Sequence, residues 1–231
     1  GLVKKMPVTA AMFLIASVAI CGLPPFNGFI SEFLIYFGMI KGLGFDSFYV
    51  LILIMFVLAA LALIGTMAIL CFTKAFSVVF LGTPRSGHAQ IEKSSSGKTI
   101  ILPMCVLALF IFLIGMFPQY AVLIVSSPVL MFTGEVELAE MSPMFDAIGT
   151  ISLVSIIFIA TVVISVNVKR IYMKKHAKSF ETWGCGYDRP TARMQYTASS
   201  YAKPFVGALG PLFKKVINLS RPKKLFPHQA N

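Results

Sequence analysis

Apolar residues in this chain come in long blocks, separated by short stretches that are polar or carry proline. They show neither the alternation of a half-buried strand nor the one-sided stripe of a soluble helix. About 20 consecutive apolar residues in a helix cross a hydrocarbon core of roughly 30 Å, and several blocks reach or approach that length. The pattern predicts segments at about 7–23 and 25–41, joined by Pro24-Pro25 with almost no polar loop, as a tight helical hairpin. Residues 48–81 are apolar for so long that one helix would overrun the bilayer, so tilt, a break or an interfacial extension is expected, with Gly65 and Lys74 as the places for that change. Residues 83–99 are polar and Gly/Ser-rich and predict a surface loop. A fourth segment covers about 100–117 and stops at Pro118. Residues 119–133 are apolar but short and proline-interrupted, which suits an interfacial or re-entrant piece. Glu135, Glu137, Glu140 and Asp146 then precede a fifth segment at about 147–168. The expected fold is all-α: a polytopic membrane helix bundle with a broken helix and a basic amphipathic tail.

Composition agrees with hydrocarbon as the main solvent. Of the 231 residues, 57% belong to the AVILMFWYC set and 13% are charged, against roughly 25% charged in soluble domains. The net charge of +11 could by itself indicate a nucleic-acid binder, but its distribution argues otherwise. Residues 169–231 hold 13 of the 20 Lys and Arg against only Glu181 and Asp188, while the first 168 residues are neutral overall. A basic segment following an apolar span is attracted to anionic headgroups and marks the cytoplasmic side. Membrane lipid, not nucleic acid, is the expected partner of this charge. Orientation by the Lys/Arg bias puts loop 83–99 and the tail in the cytoplasm, although counting back through the spans leaves Lys4 and Lys5 outside. The much larger charge of the tail decides between the two.

Within the tail, Phe205, Val206, Leu209, Leu212, Phe213, Val216 and Ile217 recur at helical spacing with Lys214 and Lys215 elsewhere, predicting an amphipathic helix at about 204–218 with Pro204 in its first turn. It would lie on the membrane, on a partner or on its own chain. At the other end, Lys4-Lys5 before an apolar run superficially resembles a secretory signal, but a second segment follows at once through Gly22-Leu23-Pro24-Pro25 with no small-residue cleavage site. Because the chain opens on Gly1, a truncated amino terminus is the expectation.

Candidate chemistry is sparse. Cys21, Cys71, Cys105 and Cys185 form no C-x-x-C pair and read as small apolar residues, and His88, His176 and His228 all lie outside the spans. Neither a Gly-rich dinucleotide turn nor metal-ligand spacing is present, so no cofactor and no catalytic residue is expected. The exception is Glu32, the one acid between Pro25 and Lys41. An ionised side chain near mid-bilayer costs at least about 2.5–3.5 kcal/mol and usually faces a partner or internal water. Burial and a neighbouring cation would pull its proton affinity in opposite directions, the condition for accepting and releasing protons. Pro24, Pro25 and Gly28 bear on the same point: proline deletes backbone donors and glycine loosens a helix, leaving carbonyls free for water or ions. Two readings stay open for Glu32, an ion path or a hydrated residue near the interface. For Lys74 they are a relay group or a lysine snorkelling to headgroups.

The stretch Lys4-Lys5-Met6-Pro7 through Gly22-Leu23-Pro24-Pro25-Phe26-Asn27-Gly28-Phe29-Ile30-Ser31-Glu32 resembles the signature of proton-conducting, antiporter-like membrane subunits, shared by respiratory complex I, Mrp-type cation/proton antiporters and membrane-bound hydrogenases. In that family the segment holds a discontinuous helix carrying a Lys or Glu on the proton path, which the resemblance places at Glu32. The resemblance adds modest weight to Lys74 as a second relay group. Glu181-Thr182-Trp183-Gly184-Cys185-Gly186-Tyr187 and Pro190 through Ala202 are similar to the hydrogenase-4 component B and formate hydrogenlyase subunit 3 group. The resemblance implies the carboxy-terminal part of a longer inner-membrane protein, with a further helix after Asn231. It also implies a non-redox role beside other membrane and hydrophilic subunits of a hydrogenase or complex I-like assembly, with an Mrp-type antiporter subunit as the alternative.

Overall fold

The computed structural model describes residues 2–44, 47–82, 97–133, 138–176, 195–208 and 210. These fall in two compact units, residues 1–195 and 196–231. The described elements are helical throughout. A short 3-10 turn at Leu2–Lys4 precedes α1 (Pro7–Ile20), α2 (Asn27–Gly42), α3 (Phe48–Phe76), α4 (Lys98–Met116), α5 (Pro118–Thr133) and α6 (Leu138–His176) in the first unit, and α7 (Ala198–Ala208) belongs to the second.

Among the described residues, three stretches are long and apolar enough to cross a membrane: Phe48–Leu81, Thr99–Met116 and Ser142–Met173. No more than 17% of any of these windows is buried within the chain, so their outward faces require hydrocarbon or further protein as cover. Helices α1 and α2 are shorter. At about 1.5 Å per residue their 14 and 16 residues reach roughly 21 and 24 Å, less than a bilayer core. They make one interrupted apolar unit, and each packs more extensively on α4 than on the other, so the expected hairpin is held through a third helix.

Helix α3 runs unbroken through Gly65 and Lys74. The change expected at one of them falls at Ser77, where α3 passes into a π-helical turn over Ser77–Leu81. The Ser77 hydroxyl donates to the Lys74 carbonyl at 3.1 Å, supplying a donor where the α-helical ladder ends. Phe80 of this turn is buried, and Phe13 of α1 meets it at a ring-centroid distance of 5.2 Å and Phe72 at 6.4 Å. Aromatic packing therefore fixes α1 against the carboxy-terminal half of α3.

Helix α4 ends at Met116 with Phe117 as its cap, and α5 begins at Pro118, a first-turn position where the missing N–H is no loss. Residues 119–133, expected as an interfacial or re-entrant piece, belong to the 16-residue helix Pro118–Thr133, with Pro128 inside it. Helix α6 is far longer than the apolar run 147–168 that announced it. Lys, Arg and Met continue the helix as well as apolar residues do, and neither glycine nor proline stops it before His176. The core between α5 and α6 gathers Pro118, Val122, Ile148, Ser152 and Ser155, and the Ser152 hydroxyl lies 2.9 Å from Gln119 Oε1.

In the second unit, the Thr197 and Ser200 side chains each pair with the other's backbone N–H, at 3.2 and 3.4 Å, a reciprocal cap that starts α7 at Ala198. Pro204, expected in a first turn, is thus the seventh residue of the helix. Most of the predicted amphipathic stripe beyond Ala208 lies outside the described residues, as do loop 83–96 and the motif from Glu181 to Arg193.

Candidate functional site

The site is built where α1 stops. Gly22 adopts φ +63°, the left-handed conformation that glycine enters without a Cβ penalty. Its N–H donates to the Ala19 carbonyl at 3.2 Å and the Leu23 N–H to the Val18 carbonyl at 3.4 Å. This pair of bonds is a Schellman termination, which satisfies two of the orphan carbonyls of the last turn. Pro24-Pro25, joined by a cis peptide bond, then carries the chain to Phe26 and into α2. Gly28 stands in the first turn of α2 against the Ala19 carbonyl, the same oxygen that accepts from Gly22, at an approach a Cβ would forbid.

Helix α4 closes the break from the side. Gly115 is buried and packs its backbone against Pro25 and Phe26, and the Phe26 and Phe112 rings lie 5.1 Å apart. Pro25 is itself buried. Serines satisfy part of the local backbone: the Ser17 hydroxyl donates to the Phe13 carbonyl at 2.7 Å and the Ser31 hydroxyl to the Gly28 carbonyl at 2.8 Å. Among the described residues no buried side-chain nitrogen or oxygen lacks a hydrogen-bond partner.

Glu32, half-buried in the second turn of α2, folds its carboxyl back over Gly22. A Cβ built on Gly22 would lie 2.6 Å from Glu32 Cδ and 2.7 Å from Oε1. The acid therefore sits against the terminus of α1, beside the backbone of the break. Cys21, adjacent in the chain, lies within electrostatic reach of both Glu32 and Cys71 of α3. Lys74 follows Cys71 by three residues on α3, on the neighbouring position of the same helical face, and is half-buried. The structure thus gathers Pro24, Pro25, Gly28 and Glu32 at one break and puts Lys74 on a helix that packs against both α1 and α2. Among the described residues no group of three His, Cys, Asp or Glu could hold a metal ion.

Gly22, Gly115 and the Cys21/Cys71 neighbourhood were not anticipated as parts of this site. For Gly22 a signal exists in the chain: glycine just before a Leu-Pro-Pro run at the end of an apolar block marks a left-handed helix terminus. For Gly115 there is none, since its requirement comes from a backbone 90 residues earlier.

A site of this kind, one carboxyl at a broken membrane helix, offers a group that can bind and release a proton. Residues 1–62 match the family described as NADH:quinone oxidoreductase/Mrp antiporter, TM. The chain is 28% identical to formate hydrogenlyase subunit 3 of Escherichia coli (strain K12) over 221 residues, which cover 93% of this chain and 34% of that protein. It is 35% identical to hydrogenase-4 component B of the same organism over 116 residues, 50% of this chain and 17% of the relative. With NAD(P)H-quinone oxidoreductase chain 5 of Picosynechococcus sp. it shares 34% over 131 residues, 50% and 19% of the two chains. The chain therefore spans about a third of the length of the first of these relatives. By its apolar helices it is a multi-pass membrane protein, and its first 62 residues are similar to the NADH:quinone oxidoreductase/Mrp antiporter transmembrane family.

Proposed function

We propose that the protein is a proton-translocating membrane subunit of a respiratory-type oxidoreductase complex, of the membrane-bound hydrogenase, formate hydrogenlyase or NADH-quinone oxidoreductase kind. Glu32 carries the proton and Lys74 is its relay partner. The observation that carries this reading is the half-buried Glu32 carboxyl folded over the terminus of α1, at a break lined by Gly22, Pro24, Pro25 and Gly28. Mid-membrane, a carboxyl changes charge at modest energetic cost only where water or polar backbone attends it, and the interrupted α1–α2 unit supplies that backbone.

In this mechanism the chain performs no redox chemistry. Electron transfer in partner subunits alters the local field, Glu32 takes up a proton from one side, and movement of charge near Lys74 favours its release to the other. Each proton moves against about 2.3 kcal/mol per 100 mV of membrane potential. The protein would lie in the cell's inner membrane with its basic tail in the cytoplasm, in contact with membrane lipid and with both membrane and hydrophilic subunits. The hydrogenase branch is favoured because similarity to formate hydrogenlyase subunit 3 extends over 93% of the chain. An Mrp-type cation/proton antiporter subunit is the alternative, supported by the family match over residues 1–62.

The test is proton uptake into inverted vesicles holding the full-length protein in its complex, wild type against Glu32→Gln, with electron-transfer rate followed in parallel. Loss of uptake in an assembled complex is the expected result. Unchanged uptake per electron would return Glu32 to the interface as a hydrated residue and remove it from the path.

A further inference from the structure

Gly22 has no side chain, yet it is the residue against which the Glu32 carboxyl is placed. Three atoms of that carboxyl, Oε2, Cδ and Oε1, crowd the position a Cβ would occupy, with Cδ at 2.6 Å and Oε1 at 2.7 Å. The carboxyl is the far end of a flexible, half-buried side chain, so it yields to a Cβ by moving off this position. Cys21 precedes Gly22 in the chain and lies within electrostatic reach of Glu32. Glu32 also belongs to α2, whose own start is fixed by the close approach of Gly28 to the Ala19 carbonyl. The acid's backbone is thereby tied to α1, and only its side-chain torsions can yield. Left-handed geometry alone would explain a glycine at position 22, and asparagine would then serve there as well. The carboxyl adds a second, independent demand, because any Cβ at this position collides with Glu32.

We propose that Gly22 is a positioning residue for proton transfer: the absence of its side chain makes the seat in which the Glu32 carboxyl lies over the end of α1. This rests on the reading of Glu32 as the proton carrier. Substituting Gly22 displaces the carboxyl by about the width of a methyl group, and misplacement of a reacting group by about 1 Å can cost on the order of 100-fold in rate. Shortening the acid by one methylene, about 1.5 Å, makes room for the methyl. The two changes are therefore coupled, whereas the cost of a non-glycine residue at positive φ is the same in both backgrounds and cancels from the comparison.

The experiment uses the full-length protein in its complex, in inverted vesicles, with wild type, Gly22→Ala, Glu32→Asp, the double variant and Glu32→Gln. Proton uptake is measured across pH, and an infrared titration follows the carboxyl band that disappears in Glu32→Gln. Expected are a loss of uptake of about tenfold or more in Gly22→Ala, a displaced midpoint of the Glu32 band, and a smaller penalty for Glu32→Asp when Gly22→Ala is already present. Independent, multiplying effects of the two changes would overturn the proposal, as would an unmoved band midpoint in Gly22→Ala. If Gly22→Ala does not assemble, Gly22→Asn, which tolerates the left-handed backbone but still carries a Cβ, takes its place in the same comparison with the same outcomes required. Normal uptake in Glu32→Gln refutes the proton-carrier reading separately, and the band midpoint then still decides the placement of the carboxyl.

Discussion

Gly115 offers the sharpest test of how the break is held. A Cβ at this position would meet the Pro25 carbonyl oxygen and lie 2.9 Å from both the Cα and the carbonyl carbon of Phe26. All three are backbone atoms, which cannot rotate away as a side chain can. Overpacking of this kind costs about 1–3 kcal/mol. Opposing it is the helix propensity of alanine, worth up to about 1 kcal/mol over glycine in a helix interior and less in a last turn such as this one. Gly149 of α6 is the matched control, since nothing lies within 4 Å of a Cβ built there. Gly149→Ala keeps the propensity gain with no clash. The two substitutions should differ by about 1–4 kcal/mol in stability, with Gly115→Ala the less stable. For a chain of this size each kcal/mol moves the melting temperature by about 2–4 °C. Thermal unfolding of the detergent-solubilised protein, followed by monodispersity or intrinsic fluorescence, resolves such a gap. Equal shifts in the same direction for both variants would refute the idea that α4 buttresses the break through backbone contact at Gly115.

Two further outcomes follow from contacts elsewhere. Ser152→Ala leaves Gln119 without its partner between α5 and α6 and should cost about 0.6–2 kcal/mol, the usual size of an interhelical hydrogen bond in a membrane; a double-mutant cycle with Gln119→Leu should show the two losses to be non-additive, and additivity would mean the contact contributes nothing. Lys74→Gln should lower proton uptake at unchanged assembly while Lys74→Arg keeps most of it, whereas a snorkelling lysine predicts that both variants pump as wild type does.

The all-helical bundle and the segment centres were legible in the chain because burial in hydrocarbon imposes one simple demand, sustained apolarity with internal backbone pairing. Helix ends were less so. The α6 helix extends to His176 since a hydropathy pattern registers the part of a helix inside the bilayer and is silent on good helix formers that continue beyond it. The change of geometry in α3 fell at Ser77 and not at Gly65, where open space on the helix surface gave no reason for a break. At the site, Glu32 stood out as a lone acid in an apolar block, and Pro24-Pro25 announced the interruption. What the chain could not disclose is which carbonyl Gly28 would approach, or that Gly22 would lie beneath the acid, because both depend on how α2 returns against the end of α1.

The length of α6 has a mechanical consequence. Its apolar run of 147–168 covers about 33 Å at about 1.5 Å per residue, enough to fill the hydrocarbon, and the helix continues for eight residues to His176, roughly 12 Å further. Lys169 and Arg170, both exposed, stand at the foot of that stub. The Debye length at physiological salt is about 8 Å, so charge at its base feels the lipid surface almost unscreened while charge at its tip feels it weakly. A rigid rod held electrostatically at its base resists vertical displacement but pivots readily, and lowering the ionic strength stiffens the pivot. On the proposed reading, in which Lys169 and Arg170 meet anionic headgroups, the tilt of α6 and with it the Ser152–Gln119 contact that docks it on α5 depend on the lipid charge and salt at one face of the membrane.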